Sequence, residues 1–268
     1  QTKGSRKIRL PFACLRVSTS IGALFCSGLL HILFLEEDAV LSRLPLNSIS
    51  GRSTLYLANT GRNCFMLINF TVKNWRSIKD EASITMQATR EQQHGERLTK
   101  SNKFGFRILP NAIVFGPNAS GKSNFVKAIE FLKDFVIFWD ERFLNRNLTP
   151  NKHEIEQGDA SSEFTIEMLL DGFIYEYYIC CSSKEVREER LSKSNTSSEY
   201  MLFHRINQDF EFNESQISAD DLYRLKVISQ GTDRTRPLLN NAHEQKLDTS
   251  ASSILQALFT IGLSILCR

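Results

Sequence analysis

The chain has 268 residues, of which 41% are hydrophobic and 24% charged, with a net charge of +3. That length holds one large domain or one domain with long flanks, and that balance excludes disorder, collagen or coiled coil as the state of the whole chain. The charge is uneven: eight basic and three acidic residues precede Met66, a balance of +5, so residues 66–268 come to about −2 and show no basic nucleic-acid footprint by net charge.

In chain order, the first segment is the least regular. Residues 1–16 carry five basic residues and no acidic one, and Ile21–Leu35 is largely apolar. A run of 15 residues falls short of the about 20 that cross a bilayer. The pattern allows a secretion signal, but no convincing small-x-small cleavage site follows it, and no membrane contact is expected. Neither a period of 2 nor one of 3.6 is sustained before Met66, and residues 1–65 contain no methionine. The expected organisation is a non-native or disordered extension over 1–65, a folded domain over 66–245, and an aberrant or truncated tail over 246–268. In that tail Leu247–Arg268 turns apolar and serine-rich.

From Met66 the pattern is regular. Leu67–Lys73 alternates, with Ile68, Phe70 and Val72 on one side and Leu67, Asn69 and Thr71 on the other, which predicts a strand. Asn74–Asp80 reads as a turn, Glu81–Ala88 as a second strand, Thr89–Lys103 as a polar loop and Asn111–Phe115 as a short apolar strand. A helix is predicted over 120–143, because Phe125, Ile129, Leu132, Val136, Trp139 and Phe143 recur at spacings of 4, 3, 4, 3 and 4, one face of a helical period. After a polar loop, Asn145–Asp159, the segments Glu163–Leu170 and Phe173–Cys181 flank Asp171-Gly172, a two-residue hairpin signal. Further strands are expected at Val186–Leu191, Tyr200–Arg205 and Asp209–Phe212. Ser218 is placed to cap a helix carrying Leu222, Leu225 and Ile228, with Asp220 and Asp221 in its first turn, where acids suit the helix dipole.

Between the Asn111–Phe115 strand and the predicted helix lies Gly116-Pro117-Asn118-Ala119-Ser120-Gly121-Lys122-Ser123. This fits G-x-x-x-x-G-K-[ST] at every required position, the signature of a phosphate-binding P-loop. Gly116 and Gly121 let the backbone close where a Cβ would obstruct it. Successive N–H groups then form an anion-binding nest, and the following helix adds the positive end of its dipole. Lys122 is placed to reach the β- and γ-phosphates of ATP, and Ser123 to offer its hydroxyl to Mg²⁺. The candidate site is therefore Gly116 to Ser123 with the following Asn124, Lys122 as the catalytic residue and Ser123 as the metal ligand.

Other patterns carry less. Phe135–Glu141, four or five apolar residues before Asp-Glu, imitates a Walker B strand, but it starts 13 residues after Lys122 and keeps the register of the helix. Asn151-Lys152-His153-Glu154 imitates a guanine-reading motif but has Glu for Asp and reads as loop. Lys184–Arg190 reads as a solvated edge or turn. The five histidines (His31, His94, His153, His204, His243) are isolated. The six cysteines form no CxxC pair and fit a reducing, cytoplasmic compartment, with Cys180 and Cys181 as core residues.

The opening MLINFTVKNWRSIKD, the loop GPNASGKSN and the hairpin EFTIEMLLDGFIYEYYI resemble the N-terminal half of bacterial AAA-annotated, ABC-class ATPases. These are relatives of the RecF, SMC and OLD heads, many from abortive-infection and other anti-phage systems. The resemblance covers about Met66 to Asn241. It implies an α/β P-loop fold with an antiparallel β-subdomain beside a central sheet, ATP and Mg²⁺ as cofactors, and head-to-head homodimers that sandwich two ATP molecules. It also implies a nuclease or other effector as a further partner. The signature motif, the Walker B strand with its glutamate and the switch histidine expected of the second half are not found. The chain is thus expected to be incomplete as a head, to bind ATP weakly and to hydrolyse it at a negligible rate. Two other readings stand beside this one: the nucleotide-binding subunit of an ABC transporter, whose usual Gln-loop and signature are absent, and an inactive gene remnant.

Overall fold

The computed structural model describes residues 56–58, 65–89, 98–100, 103–109, 111–152, 160–170 and 172–245. The proposed extension before Met66 and the tail after 245 therefore lie almost wholly outside the described residues, as do Cys14, Cys26, Cys64 and Cys267.

The elements, in chain order, are β1 (Tyr56–Ala58), β2 (Phe65–Lys73), β3 (Ala82–Thr85), β4 (Thr99–Lys100), β5 (Arg107–Ile108) and β6 (Asn111–Ile113). Helices α1 (Lys122–Ile137) and α2 (Phe143–Asn147) follow, then β7 (Ser162–Leu170), β8 (Phe173–Cys181), β9 (Val186–Ser194), β10 (Glu199–Ile206) and β11 (Asp209–Phe212). Two helices, α3 (Ala219–Gln230) and α4 (Leu238–Glu244), complete the described part. One seven-stranded sheet dominates, in the order β11-β10-β9-β8-β7-β2-β3, and every pairing in it is antiparallel. The first strands after Met66 thus join the later hairpins in one antiparallel unit. The phosphate-loop strand β6 pairs separately, antiparallel, with β1, which places three residues from before Met66 beside it.

The β7–β8 hairpin forms where Asp171-Gly172 predicts it: Leu170 faces Phe173, and Gly172 has a φ of 75°, a left-handed turn conformation that glycine adopts without strain. The predicted alternation of β2 needs one correction. Ile68, Phe70 and Val72 are buried, but so is Leu67, because the pairing with β7 slips between Leu67 and Asn69. A bulge lets two consecutive residues face inward. Leu202 and Phe203 do the same at the slip between Met201 and Phe203.

Helix α1 ends earlier than its apolar stripe. It stops at Ile137, and Phe143 opens the separate α2; Trp139 and Phe143 continue the burial pattern on other backbone. The aromatic rings still form one cluster between α1, α2 and the sheet. Phe131 lies 4.9 Å from Trp75 and 5.1 Å from Phe164, and Phe135 lies 5.3 Å from Phe143, centre to centre. Offset and tilted contacts of this kind add to the burial of the rings themselves. The predicted strand Glu81–Ala88 is shortened to β3, and the predicted loop Thr89–Lys103 contributes β4, paired with β5.

The opposite face of the sheet carries polar cross-strand pairs: Lys73 with Glu163 at 2.7 Å, Glu176 with Arg190 at 3.0 Å, and Glu188 with His204 at 2.9 Å. Glu167 is the exception, since it stands opposite Glu176 and accepts from Asn69 Nδ2 at 2.6 Å. Burial raises its carboxyl above the ordinary 4.5; the Asn69 hydrogen bond opposes this, and Glu176 and Glu199 reinforce it. Such a group holds its proton more tightly folded than unfolded. Its contribution to stability is full below the ordinary value and is lost as pH rises through the raised one. Glu167→Gln keeps an acceptor for Asn69 and removes the charge. It is expected to stabilise the fold at pH 7 by roughly a few tenths of a kcal/mol, a small figure because solvent reaches the site, and by nothing at pH 4. Thermal unfolding at both pH values checks this; a loss at pH 7 contradicts it.

Candidate functional site

The nine residues named from the sequence, Gly116 to Asn124, lie on one loop and the first turn of α1. Strand β6 is buried along its length, whereas Pro117, Asn118, Ala119 and Ser120 are exposed. A rigid, dry strand therefore delivers a loop whose tip faces water, as a nucleotide-binding loop requires.

The loop closes on itself. Ala119 and Gly121 have φ values of 63° and 89°, so the chain turns through the left-handed region twice just before the helix, and Gly121 is the residue at which α1 begins. The Ser120 N–H donates to the Pro117 carbonyl at 3.3 Å. A Cβ on Gly116 would stand 3.0 Å from Ser120 Oγ and 3.5 Å from the Lys122 side chain, so a larger residue would crowd the side chains that close the loop. Across the ring lies Lys122. Its ammonium donates to the carbonyls of Gly116 at 2.7 Å and Pro117 at 2.6 Å and to Ser120 Oγ at 3.2 Å. All three are oxygens of the loop itself, and a phosphate oxygen would compete for the same N–H groups.

The residues fit a phosphate. The first turn of α1 contains no acidic residue, so the helix itself brings no negative charge to the positive end of its dipole. Loop amides, the Lys122 ammonium and the Ser123 hydroxyl are the groups that would hold a triphosphate with its Mg²⁺. Among the described residues no three His, Cys, Asp or Glu side chains converge as a ligand set. Ser123, whose hydroxyl follows Lys122 in the P-loop pattern, is the residue that would meet the ion.

The sequence reading missed what stands beside the loop. The turn after β2, Asn74 to Ile78, packs against the start of α1. Trp75 is 1% exposed, and its Nε1 donates to the Asn124 carbonyl at 2.8 Å. The Asn124 side-chain amide donates to Ser77 Oγ at 2.7 Å. Asn74 and Arg76 hold φ values of 52° and 50°, a conformation that costs a non-glycine residue energy and persists only where neighbours impose it. Those neighbours are present: Asn74 Nδ2 donates to the Ser161 carbonyl, the Arg76 N–H to that of Thr149, and Asn151 Nδ2 to that of Arg76, each at 2.8 Å. The one signal available beforehand was an indole in a polar turn. Asn151, from the sequence that imitates a guanine-reading motif, thus braces this turn; His153 and Glu154 lie outside the described residues.

Phe135 to Ile137 close α1 and Phe138 to Glu141 follow it without forming a strand, so Phe135–Glu141 is not a Walker B strand, although it is not helical throughout. Lys184–Arg190 is corrected: it runs into β9, an inner strand between β8 and β10, and Glu189 is fully buried. Glu189 lies 3.6 Å from the equally buried Arg205, accepts from Tyr177 Oη at 2.9 Å and takes the Leu238 N–H at 2.8 Å. Burial holds its carboxyl above the ordinary carboxylate range, with Arg205 and the Leu238 N–H pulling against it. Cys181 is buried in the core as expected, whereas Cys180 is half-buried, standing between Glu163 and Glu188 on the neighbouring strands; both are free thiols, and burial raises both above the ordinary thiol value. No described helix is long and apolar enough to cross a membrane.

Among known protein families, the one described as "AAA domain, putative AbiEii toxin, Type IV TA system" matches residues 112–256. The match begins inside β6 and takes in the whole phosphate loop. A comparison with curated proteins finds no match.

Proposed function

We propose, from the premise that the chain belongs to this family of AAA domains, that it is a P-loop ATPase module which grips ATP and Mg²⁺ at Gly116 to Asn124. The observation that carries the reading is the closed loop: a left-handed Gly121 at the start of α1, with the Lys122 ammonium drawn across the ring that follows a buried strand. Bound ATP supplies the phosphoryl group and its charge; the chain's own residues orient and neutralise it.

The finer reading is that the module is an ABC-class head of the RecF, SMC and OLD kind, serving a toxin–antitoxin or other anti-phage system and pairing as a homodimer. The antiparallel sheet built from the opening strands and the β7–β8 hairpin supports it. That hydrolysis by this chain alone is negligible remains part of this proposal, on the sequence reading above. The test is titration of the full chain with a fluorescent ATP analogue, with and without Mg²⁺. Saturable binding, strengthened by the metal and displaced by ATP, is expected. Absence of saturable binding would overturn the reading.

A further inference from the structure

The start of α1, which closes the phosphate loop, is tied to the turn that leaves the large sheet after β2. Two groups from the turn after β2 hold a single residue of α1: the Trp75 indole takes the Asn124 carbonyl, and Ser77 Oγ accepts from the Asn124 side chain. The turn is itself fixed to the sheet, since Ser162 Oγ, at the start of β7, donates to the Asn74 carbonyl at 2.5 Å, and Asn151 N–H donates to Asn74 Oδ1 at 2.8 Å. Asn124 immediately follows Ser123, and its own N–H and that of Phe125 both donate to the Gly121 carbonyl, at 3.0 and 2.9 Å.

Holding Asn124 from two sides therefore holds the turn of helix on which Ser123 sits. The loop amides from Gly116 to Ala119 lie upstream and are not touched by this clamp. Ser77 is exposed, so its hydroxyl contributes little to the core. These are the marks of a residue that sets geometry and not of one that sustains the fold.

We propose that Ser77, with Trp75, is a positioning residue for the nucleotide site: through Asn124 it fixes the first turn of α1 and so the place of the Ser123 hydroxyl that would meet the magnesium ion. This rests on the ATP-binding reading above. The element acts on the metal-dependent part of the affinity and leaves the phosphate grip of the upstream loop in place.

The test uses the full chain with Ser77→Ala and Ser77→Thr. Ser77→Ala is expected to weaken binding of the Mg²⁺–ATP analogue by about three- to tenfold, the worth of one neutral hydrogen bond. Metal-free analogue should bind with unchanged affinity, and the thermal midpoint of the ligand-free protein should stay where it is. Ser77→Thr should restore the metal effect. In ligand-free protein, amide hydrogen exchange at Asn124 and Phe125 should quicken in Ser77→Ala by a similar factor. Equal losses with and without magnesium, or no loss in either, would overturn the proposal. Were the unaltered chain to bind no nucleotide at all, the ATP-binding reading would fall. Exchange at Asn124 and Phe125 would then decide the clamp alone: quickened exchange supports it, unchanged exchange overturns it.

Discussion

Lys122→Ala is expected to weaken binding of the Mg²⁺–ATP analogue by about 10- to 100-fold while leaving the fold intact. The ammonium brings a formal positive charge across the loop, where it donates to Gly116, Pro117 and Ser120. A hydrogen bond to a charged group is worth about 1.5–3 kcal/mol, and that range corresponds to about one to two decades of affinity. The loss is net of an exchange, because the ammonium must give up its loop oxygens as it takes up phosphate. Lys122→Arg is expected to recover only part of the affinity, since a planar fork cannot stand where a compact ammonium on a flexible stem meets three oxygens. The thermal midpoint should hardly move, since the loop contacts that are lost lie at the exposed tip. Titration of both variants beside the unaltered chain checks this. Equal affinity in Lys122→Ala would mean that the loop is not where phosphate binds.

The second large effect concerns the fold. Glu189→Leu and Arg205→Leu are each expected to cost about 3–5 kcal/mol, the usual penalty for leaving one member of a buried ion pair without the other. Removing both should not recover the loss. Arg205 also donates to the carbonyls of Asn207 and Arg236, each at 2.6 Å, and Glu189 also holds the first N–H of α4, so the double variant strands backbone groups that no leucine can satisfy. The consequence reaches α1, because Asn240 on α4 donates to the Val136 carbonyl at 3.0 Å near the end of that helix. Urea unfolding of the two single variants and the double measures this. A double variant as stable as the parent would show that the pair contributes only its own mutual attraction.

The contrast between these two sites shows what was legible beforehand. The phosphate loop is a local object. Its glycines, lysine and serine act within nine consecutive residues, so spacing along the chain is also spacing in space, and the family match takes in the whole loop. The Asp171-Gly172 hairpin and the Ser218 cap are local in the same sense. Ser218 Oγ accepts from the Asp221 N–H at 3.2 Å, within one turn. Glu189 and Arg205 stand 16 residues apart on neighbouring strands, and the run that holds Glu189 reads as a solvated edge until β9 is placed between β8 and β10. The end of α1 failed for a related reason. An apolar stripe reports which side chains turn inward and not whether the backbone beneath them is still helical, and the half-buried Trp139 and the buried Phe143 stand on other backbone.

By itself, then, the sequence determined the elements whose causes lie within a few residues: the phosphate loop and its lysine, the tight hairpin, the capped helix and the apolar stripes. Only the tertiary structure decided that Trp75 and Ser77 clamp Asn124, that a glutamate in a charged run is buried against an arginine, and that bulges turn Leu67 and Leu202 inward. The physical reason is range. Turn chemistry and capping are settled by neighbours along the chain, whereas burial, pairing and desolvation depend on which distant strands come to lie side by side.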